Sequence, residues 1–204
     1  MQPGGERSPR GDLKADFERV VEAARAGRPE AWDLLYRALA PSVTGYLRMQ
    51  GSTEPDDLAS EVFLGVFRGI SRFAGDEGAF RSWVFVIAHR RLQDERRRRY
   101  RQARTFTGES AYAEPAGGNA EHDAMRRLAT DRVRAVCLQL APDQCDVVLL
   151  RILGDLTVEQ VADVLGKTPG AVKQLQRRGL EAIRRLSAEP GRTRQISRPE
   201  GVPL

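Results

Sequence analysis

Basic and amide side chains recur near the end of the chain, on a segment whose spacing predicts a helix-turn-helix. Its second helix has an outward face that carries Lys173, Gln174, Arg177 and Arg178 and no acid. Arg and Gln can hydrogen-bond base edges in the major groove, and Lys can contact phosphate. Thr168 stands where it would cap this helix. These residues predict recognition of duplex DNA, and the alternative is a helical hairpin in an unrelated bundle.

The first helix of this hairpin has start and stop signals of its own. Thr157 and Gln160 form a predicted capping box. Gly166 is expected to end the helix, because the tight turn needs a residue that tolerates positive φ. Ala162 is small where the two helices would cross, and Val172 is predicted to face their shared core.

Length, charge and cysteine content limit the classes of protein that the chain can represent. Its 204 residues accommodate one domain or two small ones, and its formal net charge of +5 favours a polyanionic partner. Cys137 and Cys145 lie among apolar neighbours, which predicts reduced, buried thiols and neither a disulfide framework nor a zinc cluster. No apolar run approaches the roughly 20 residues of a membrane span, and residues 1–12 lack the apolar core of a signal peptide. We expect a cytoplasmic protein without a cofactor and without membrane insertion.

Helical periodicity runs through nearly the whole chain and strand signals are almost absent, so the predicted fold class is all-α. A stretch at 102–120, rich in Thr, Gly, Ser, Ala and Pro, has no apolar periodicity and predicts a flexible linker. This linker would separate two small helical domains, at 13–101 and 121–187. The polar ends, 1–12 and 188–204, are expected to be disordered.

The third predicted helix, at about 54–73, is apolar on more than one side. A helix of a small bundle needs to bury only one face, so the surplus predicts a docking surface. Asp57 and Glu61 are four residues apart on one face, beside Phe63 and Leu64, and this mixed acidic and apolar patch suits a basic protein surface. The alternative role of the two carboxylates is to complement the helix dipole.

Two blocks of motifs resemble conserved regions of bacterial sigma factors. Residues 56–63, 80–83 and 87–94 resemble the second conserved region, and residues 140–178 resemble the fourth. Because only a linker lies between them, the chain resembles the extracytoplasmic-function (ECF) class over nearly its whole length. The resemblance implies a sigma-2 helical bundle followed by a sigma-4 helix-turn-helix domain.

The resemblance also implies the partners of the chain and the role of each domain. The first domain would bind the β′ clamp of core RNA polymerase and would open and read the −10 promoter element. The second domain would read the −35 element as duplex, and the chain would direct promoter-specific transcription initiation as an alternative sigma factor. The residues expected to bind the polymerase are Asp57, Glu61, Phe63, Leu64 and Phe67. An anti-sigma factor is expected as a further partner.

The residues expected to contact the −10 element are Phe73, Arg81, Arg90 and Arg91. Arginines can track a phosphate backbone, and exposed aromatic rings can stack on unpaired bases. The loop at 71–79 lies where the family captures a flipped base. At least one of the three aromatic candidates in this region is expected in the core instead; they are Phe73, Phe80 and Phe85.

Two other classes of protein compete with this interpretation. A helix-turn-helix regulator that acts without polymerase would explain the second block, but it would leave the pattern at 57–94 and its apolar surplus unexplained. A nuclease could use Asp56, Asp57 and Glu61 with a metal ion, yet no His, Cys or Ser partner completes such a site. We therefore do not expect an enzyme.

Overall fold

The computed structural model describes residues 9–105, the first block, and residues 134–188, the second block, and within these ranges the regular structure is helical. The first block contains α1 (Pro9–Arg25), α2 (Pro29–Met49), α3 (Pro55–Gly69), a 3-10 turn (Ile70–Arg72) and α4 (Glu77–Thr105). The second block begins with a helical turn at 134–137 and continues with α5 (Pro142–Ile152), α6 (Val158–Leu165) and α7 (Pro169–Ala188). The all-α fold class predicted from the sequence is confirmed.

Helix α4 supplies a large part of the core of the first block. Its buried side chains recur every three or four residues and so share one helical face; they are Phe80, Val84, Phe85, Ala88 and Leu92. This face packs against α2 and α3, which both begin with proline at a position where no intrahelical hydrogen bond is lost. Helix α2 continues as one helix through Pro41.

A buried carboxylate positions the loop that leads into α3. Oε1 of Glu95 accepts hydrogen bonds from Ser52 Oγ (3.2 Å), from the backbone N–H of Thr53 (3.0 Å) and from Thr53 Oγ1 (2.8 Å). A charged group as buried as Glu95, which is 8% exposed, needs such partners. Because Glu95 belongs to α4, these bonds tie the start of α3 to α4 and help to determine which face α3 exposes.

The local signals of the helix-turn-helix are present in α6 and α7. Thr157 Oγ1 accepts from the backbone N–H of Gln160 at 3.2 Å, and Gln160 Oε1 accepts from the N–H of Thr157 at 2.8 Å, which completes the capping box. Gly166 ends α6 with φ +63°, the left-handed conformation that the turn requires. Ala162 and Val172 are buried, so these sequence predictions are confirmed.

The two blocks are in contact through α6, which packs on α4, and α5, which packs on α2. Leu153, just after α5, lies close to Gly45 in α2. The side-chain amide of Gln50, just after α2, donates a hydrogen bond to the carboxylate of Asp146 in α5. Two separate units were predicted from the sequence, and their packing places both in one compact arrangement.

Several predicted boundaries differ from those in the structure. Helix α1 begins at Pro9, so the last residues of the segment 1–12 are helical although disorder was expected. Helix α4 continues to Thr105, past the expected start of the linker at 102. Helix α3 ends at Gly69 and a 3-10 turn follows, where one helix to 73 was expected. The remainder of the predicted linker and most of the predicted tail lie outside the described residues.

Candidate nucleic-acid and protein interfaces

The predicted DNA-contacting face of α7 is exposed. Lys173, Gln174, Arg177 and Arg178 all lie on the surface. Arg177 Nη1 is 3.0 Å from Glu181 Oε1, but both side chains are about half exposed or more, and ion pairs of this kind contribute little to stability. The guanidinium can therefore exchange this partner for another anion at small cost.

The start of α7 is held by its cap and by an ion pair to α5. Thr168 Oγ1 accepts a hydrogen bond from the backbone N–H of Ala171 at 3.2 Å, as the cap prediction required. In the turn before it, Lys167 Nζ donates to Asp143 Oδ2 at 2.8 Å. This pair was not predicted, because Asp143 is distant in the sequence and no periodic pattern connects the two residues.

A close contact between α5 and α7 supports the helix that is predicted to contact DNA. Gly179 is buried in α7, and a Cβ at this position would lie 2.9 Å from Val148 Cγ2 and 3.5 Å from Gln144 Cβ. The absence of a side chain thus lets α5 approach the inner face of α7. The outer face with its cations is held towards solvent.

We call the predicted docking residues of α3 the α3 surface: Asp57, Glu61, Phe63, Leu64 and Phe67. Leu64 and Phe67 are exposed at 54% and 57%, which is high for large apolar side chains. Asp57 is exposed, and Glu61 is half exposed with Oε2 3.9 Å from Arg91 Nη1. The surplus of apolar residues on α3 is therefore partly at the surface, and the inner face is formed by Leu58, Ala59, Val62 and Val66.

Two aromatic residues of α2 extend the α3 surface. Tyr36 lies against Phe63 with ring centroids 4.7 Å apart, and Trp32 lies against Phe67 at 4.9 Å. Tyr36 is itself 46% exposed. These two residues were not predicted as part of the docking surface, because the crossing of α2 and α3 that brings them beside α3 is a tertiary feature.

The arginines predicted to contact the −10 element have different environments. Arg90 is exposed and Arg91 is partly exposed. Arg81 is buried, at 6% exposure, and is ion-paired with Glu77 one helical turn earlier. In this structure its guanidinium lies against its own carboxylate partner and is not exposed to solvent, and its contact with DNA stays a prediction.

Three aromatic rings pack at the loop 71–79. Phe73 is half buried and stacks on Trp83 with centroids 5.3 Å apart and an interplanar angle of 22°, and it meets Phe80 edge-on at 5.1 Å. Phe80 and Phe85 are fully buried. They are core residues, in agreement with the expectation that at least one of the three aromatic candidates lies in the core. Trp83 is partly buried.

The backbone of this loop is anchored by a residue that sequence reasoning missed. Arg25 Nε donates to the carbonyl of Ile70 at 3.3 Å, and its Nη2 donates to the carbonyl of Phe73. Asp76 Oδ1 accepts from the backbone N–H of Ala79 at 2.7 Å and caps the start of α4. An arginine at the end of α1 carries no motif, so its role becomes visible only when α1 is placed beside the loop.

The second block lies next to this loop. A Cβ at Gly78, in the first turn of α4, would be 3.3 Å from the side-chain nitrogen of Gln160 in α6. Gln160 belongs to the capping box of the helix-turn-helix. In this arrangement, therefore, the helix-turn-helix approaches the end of the loop 71–79, while residues 71, 72 and 74–76 stay exposed.

A largely buried polar cluster lies at the contact between the blocks. Besides the Gln50–Asp146 bond, Arg96 Nη2 donates at 2.8 Å both to the backbone carbonyl and to the side-chain oxygen of Gln50. Tyr46 Oη and His89 Nδ1 are 2.8 Å apart. Gln50 thus connects a cation of α4 to a carboxylate of α5.

Burial is the main cause of the shifted pKa values in this polar cluster. It raises the pKa of the Asp146 carboxyl above its ordinary value, and the nearby cations oppose this only in part. Burial lowers the pKa of His89, and it raises the pKa of Tyr46. The charged form of His89 is disfavoured in the folded protein.

No group of three or more potential metal ligands occurs among the residues that the structure describes. Cys137 and Cys145 are free and buried, as the sequence predicted. Among the described helices, none has the length and apolar character needed to cross a membrane.

Comparison with known proteins identifies the class to which this fold and these surfaces belong. Residues 35–102 match the family model of Sigma-70 region 2, and residues 138–185 match that of Sigma-70, region 4. The two matches coincide with the first and second blocks in the predicted order. They define a protein of the sigma-70 type.

Individual relatives show to which group within this class the chain belongs. The chain is 31% identical over 180 residues to the ECF RNA polymerase sigma factor BldN of Streptomyces coelicolor, covering 87% of this chain and 68% of BldN. It is 33% identical over 147 residues to the ECF RNA polymerase sigma factor SigK of Mycolicibacterium vanbaalenii, covering 70% of this chain and 72% of SigK. The chain belongs to the ECF RNA polymerase sigma factors.

Solved structures share the fold. CnrH, determined in complex with the cytosolic domain of CnrY, superposes with a TM-score of 0.61 at 20% identity, covering 83% of this chain and 96% of CnrH. The sigma factor RpoE of Bartonella quintana, determined with the anti-sigma factor NepR, has a TM-score of 0.53 at 18% identity, covering 88% of this chain and 98% of RpoE.

Proposed function

We propose that this protein is an alternative sigma factor that binds core RNA polymerase and directs promoter-specific initiation through the −10 and −35 elements. The observation that carries the proposal is the presence of two chemically different exposed faces on one chain. The α3 surface is acidic and apolar, whereas the outer face of α7 is cationic and polar. A regulator that binds only DNA has no need of the first face.

The α3 surface suits attachment to the clamp of the β′ subunit. Exposed apolar side chains flanked by charge are typical of protein interfaces, where aromatic residues contribute strongly to affinity. Leu64 and Phe67 would provide apolar contact, and Asp57 and Glu61 would face basic groups. Trp32 packs against Phe67 and extends the same face.

The second block would read the −35 element with Lys173, Gln174, Arg177 and Arg178, while Thr168 holds the start of α7. The first block would contact the −10 element through Phe73, Arg90 and Arg91, and partly exposed Trp83 is added to this set. Phe73 and Trp83 are already stacked, so an unpaired base could stack on their exposed parts. Arg81 is not included, because it is buried.

An anti-sigma factor is proposed as a partner that retains the inactive arrangement. CnrH and RpoE were each determined in a complex, RpoE with a protein named as an anti-sigma factor. The proximity of Gln160 to Gly78 places the helix-turn-helix next to the loop 71–79 in the compact arrangement. A partner that stabilises this arrangement, or that covers the α3 surface, would prevent initiation.

The activity as proposed needs no catalysis by the sigma factor itself and no cofactor, and the protein would act in the cytoplasm, where its polymerase and DNA are found. The direct test is transcription by purified core polymerase on promoter fragments selected by sequencing transcripts after induced expression. We expect initiation at defined positions only when the protein is present. Binding of duplex DNA without core polymerase, combined with no stimulation of transcription, would favour the competing regulator function.

A further inference from the structure

Arg25, the last residue of α1, reaches across to the chain that leads into the loop 71–79. Its Nε donates a hydrogen bond to the carbonyl of Ile70 at 3.3 Å, and its Nη2 donates to the carbonyl of Phe73. The carbonyl of Ile70 also accepts the backbone N–H of Phe73 at 3.2 Å, so the guanidinium binds both ends of one turn. Because a guanidinium presents its donors in a fixed fork, these two bonds set the distance between the two carbonyl oxygens.

The segment that Arg25 holds lies mostly at the surface. Residues 71, 72 and 74–76 are exposed, and Phe73 is half buried. A segment with few buried apolar contacts opens readily unless hydrogen bonds hold it. Asp76 holds the far end of the loop by capping α4, and Arg25 holds the near end. The position of the Phe73 backbone therefore depends strongly on the guanidinium.

The ring of Phe73 is oriented by its neighbours. It stacks on Trp83 with centroids 5.3 Å apart, and it meets Phe17 of α1 edge-on at 6.4 Å. The backbone of Gly75 comes close to the tip of the ring, because a Cβ added there would lie 3.4 Å from Phe73 Cζ. Helix α1 thus contacts Phe73 twice, through the side chain of Phe17 and through the guanidinium of Arg25.

We propose that Arg25 is a positioning residue for promoter recognition, which holds Phe73 where its ring can stack on an unpaired base of the −10 element. This inference rests on the proposed function, in which Phe73 contacts that element. A ring already in place spares the complex the cost of ordering the loop on binding, and a loop that is competent only part of the time loses affinity in proportion. The match to Sigma-70 region 2 begins at residue 35, so the role of Arg25 is inferred from its contacts in this structure alone.

The alternative role of Arg25 is to complement the dipole of α1, as a cation in the last turn of a helix does. Its pair with Glu22 contributes little, because the two charges are 3.8 Å apart and Glu22 is 82% exposed. Arg25→Lys separates the two roles, since lysine keeps the charge but has no planar fork to hold both carbonyls. Arg19→Ala is the matched control, because it removes an exposed cation of the same helix.

The effect on the loop is measured by hydrogen exchange in the full-length protein, without polymerase or DNA. We expect the backbone N–H of Phe73 to exchange about tenfold faster in Arg25→Ala than in wild type, because two charge-assisted hydrogen bonds to this turn are lost. Arg25→Lys should be intermediate and Arg19→Ala unchanged. If circular dichroism shows that Arg25→Ala does not fold, Arg25→Lys is compared with wild type instead. Exchange at Phe73 that equals wild type in the folded variant would overturn the proposal.

The effect on recognition is measured with the protein in complex with core polymerase. The probe is a single-stranded oligonucleotide that carries the −10 sequence of a promoter mapped with wild type. We expect Arg25→Ala to weaken its binding about fivefold to tenfold, because the loop is competent for a smaller fraction of the time. Co-purification with core polymerase should not change, and unchanged affinity for the oligonucleotide would overturn the proposal.

A double-mutant cycle shows whether Arg25 acts through Phe73. Phe73→Leu keeps an apolar side chain but removes the stacking face, so Arg25→Ala should add little to the loss of oligonucleotide binding in that background. Losses that add in full would overturn the proposal, because they are expected of a general loss of stability. Absence of initiation by wild type would refute the proposed function, and with it the role of Arg25 at the promoter, even where hydrogen exchange confirms its hold on Phe73.

Discussion

The carboxylate of Asp146 in α5 accepts a hydrogen bond from the side chain of Gln50, a residue 96 positions earlier in the chain. Gln50 is held in turn by Arg96 of α4, which donates to both its backbone and side-chain oxygens. Three helices of two blocks thus meet at one amide. Because the blocks carry the faces proposed for different promoter elements, this contact helps to hold those faces in one relative placement.

Replacement of Asp146 by Asn should loosen the contact between the blocks. The amide keeps the shape of the side chain but loses the charge that faces Arg96 and His89, and it can present an N–H where Gln50 donates. We expect faster hydrogen exchange in α6 and in the first turns of α4. Asp143→Asn is the matched control, since Asp143 is exposed and pairs with Lys167 within the second block. If both variants accelerated hydrogen exchange equally, the effect of Asp146→Asn could not be attributed to the Gln50–Asp146 bond.

Lys173→Ala and Arg177→Ala should reduce use of the −35 element without loss of polymerase binding. A good contact between a side chain and a base is worth about 1–3 kcal/mol, so promoter activity should fall about tenfold or more if Arg177 reads a base. Transcription from a matched promoter and co-purification with core polymerase are measured together. Arg19→Ala, an exposed cation of α1, is the control. Full activity of the double variant would exclude α7 from promoter recognition.

Charge reversal at Asp57 and Glu61, or Leu64→Ala with Phe67→Ala, should weaken binding to core polymerase. These side chains are largely exposed, so the fold should survive, as circular dichroism can verify. Phe63→Ala is less suitable, because Phe63 packs against Tyr36 and its loss can disturb the structure. Reversal of Glu22, which is exposed on α1, is the control for net charge. A folded variant of the α3 surface with normal affinity would exclude this surface from docking.

His89 should make the folded protein less stable as the pH falls below about 6.5. Its pKa is lowered by burial in the folded state, so the unfolded chain binds more protons between the folded pKa and 6.5. The free energy of unfolding then decreases by up to about 1.4 kcal/mol per pH unit in that window. Asp146, whose pKa is raised, contributes with the opposite sign: its stabilisation is lost as the pH rises from 3.8 through its folded pKa.

Denaturant unfolding at several pH values is compared between wild type and His89→Gln. The difference gives the contribution of His89 to the pH dependence of stability. We expect a smaller decrease in stability below pH 6.5 for the variant. His122→Gln controls for the other histidine of the chain. If the free energy of unfolding depended on pH in the same way in wild type and in His89→Gln, the attribution of this pH dependence to His89 would be wrong.

Gly179→Ala should destabilise the second block although it improves helix propensity. The added Cβ would lie 2.9 Å from Val148, so α5 and α7 must separate, and overpacking of this kind costs about 1–3 kcal/mol. Gly170→Ala is the matched control, since a Cβ added there would lie in open space and the gain in propensity is about 0.5–1 kcal/mol. Thermal unfolding distinguishes them: Gly179→Ala should lower the midpoint and Gly170→Ala should not.

Local features were predictable from the sequence because their causes lie within a few residues. The capping box of Thr157 and Gln160, the positive φ of Gly166 and the burial of Val172 follow from side-chain and backbone preferences at fixed spacing. The two blocks were predicted for a similar reason, since apolar periodicity stops between them. The identity of the family followed from the order of these motifs along the chain.

Tertiary structure alone decided which residues of an apolar or charged pattern reach the surface. Arg81 and Arg90 are both arginines of α4, yet one is buried against Glu77 and the other is exposed, because helix rotation relative to α2 and α3 determines their environments. The anchoring of the loop by Arg25 likewise depends on how α1 packs. The contact of Gln50 with Asp146 joins residues far apart in the chain. It could not be predicted from apolar periodicity, because long-range pairing depends on the packed positions of whole helices.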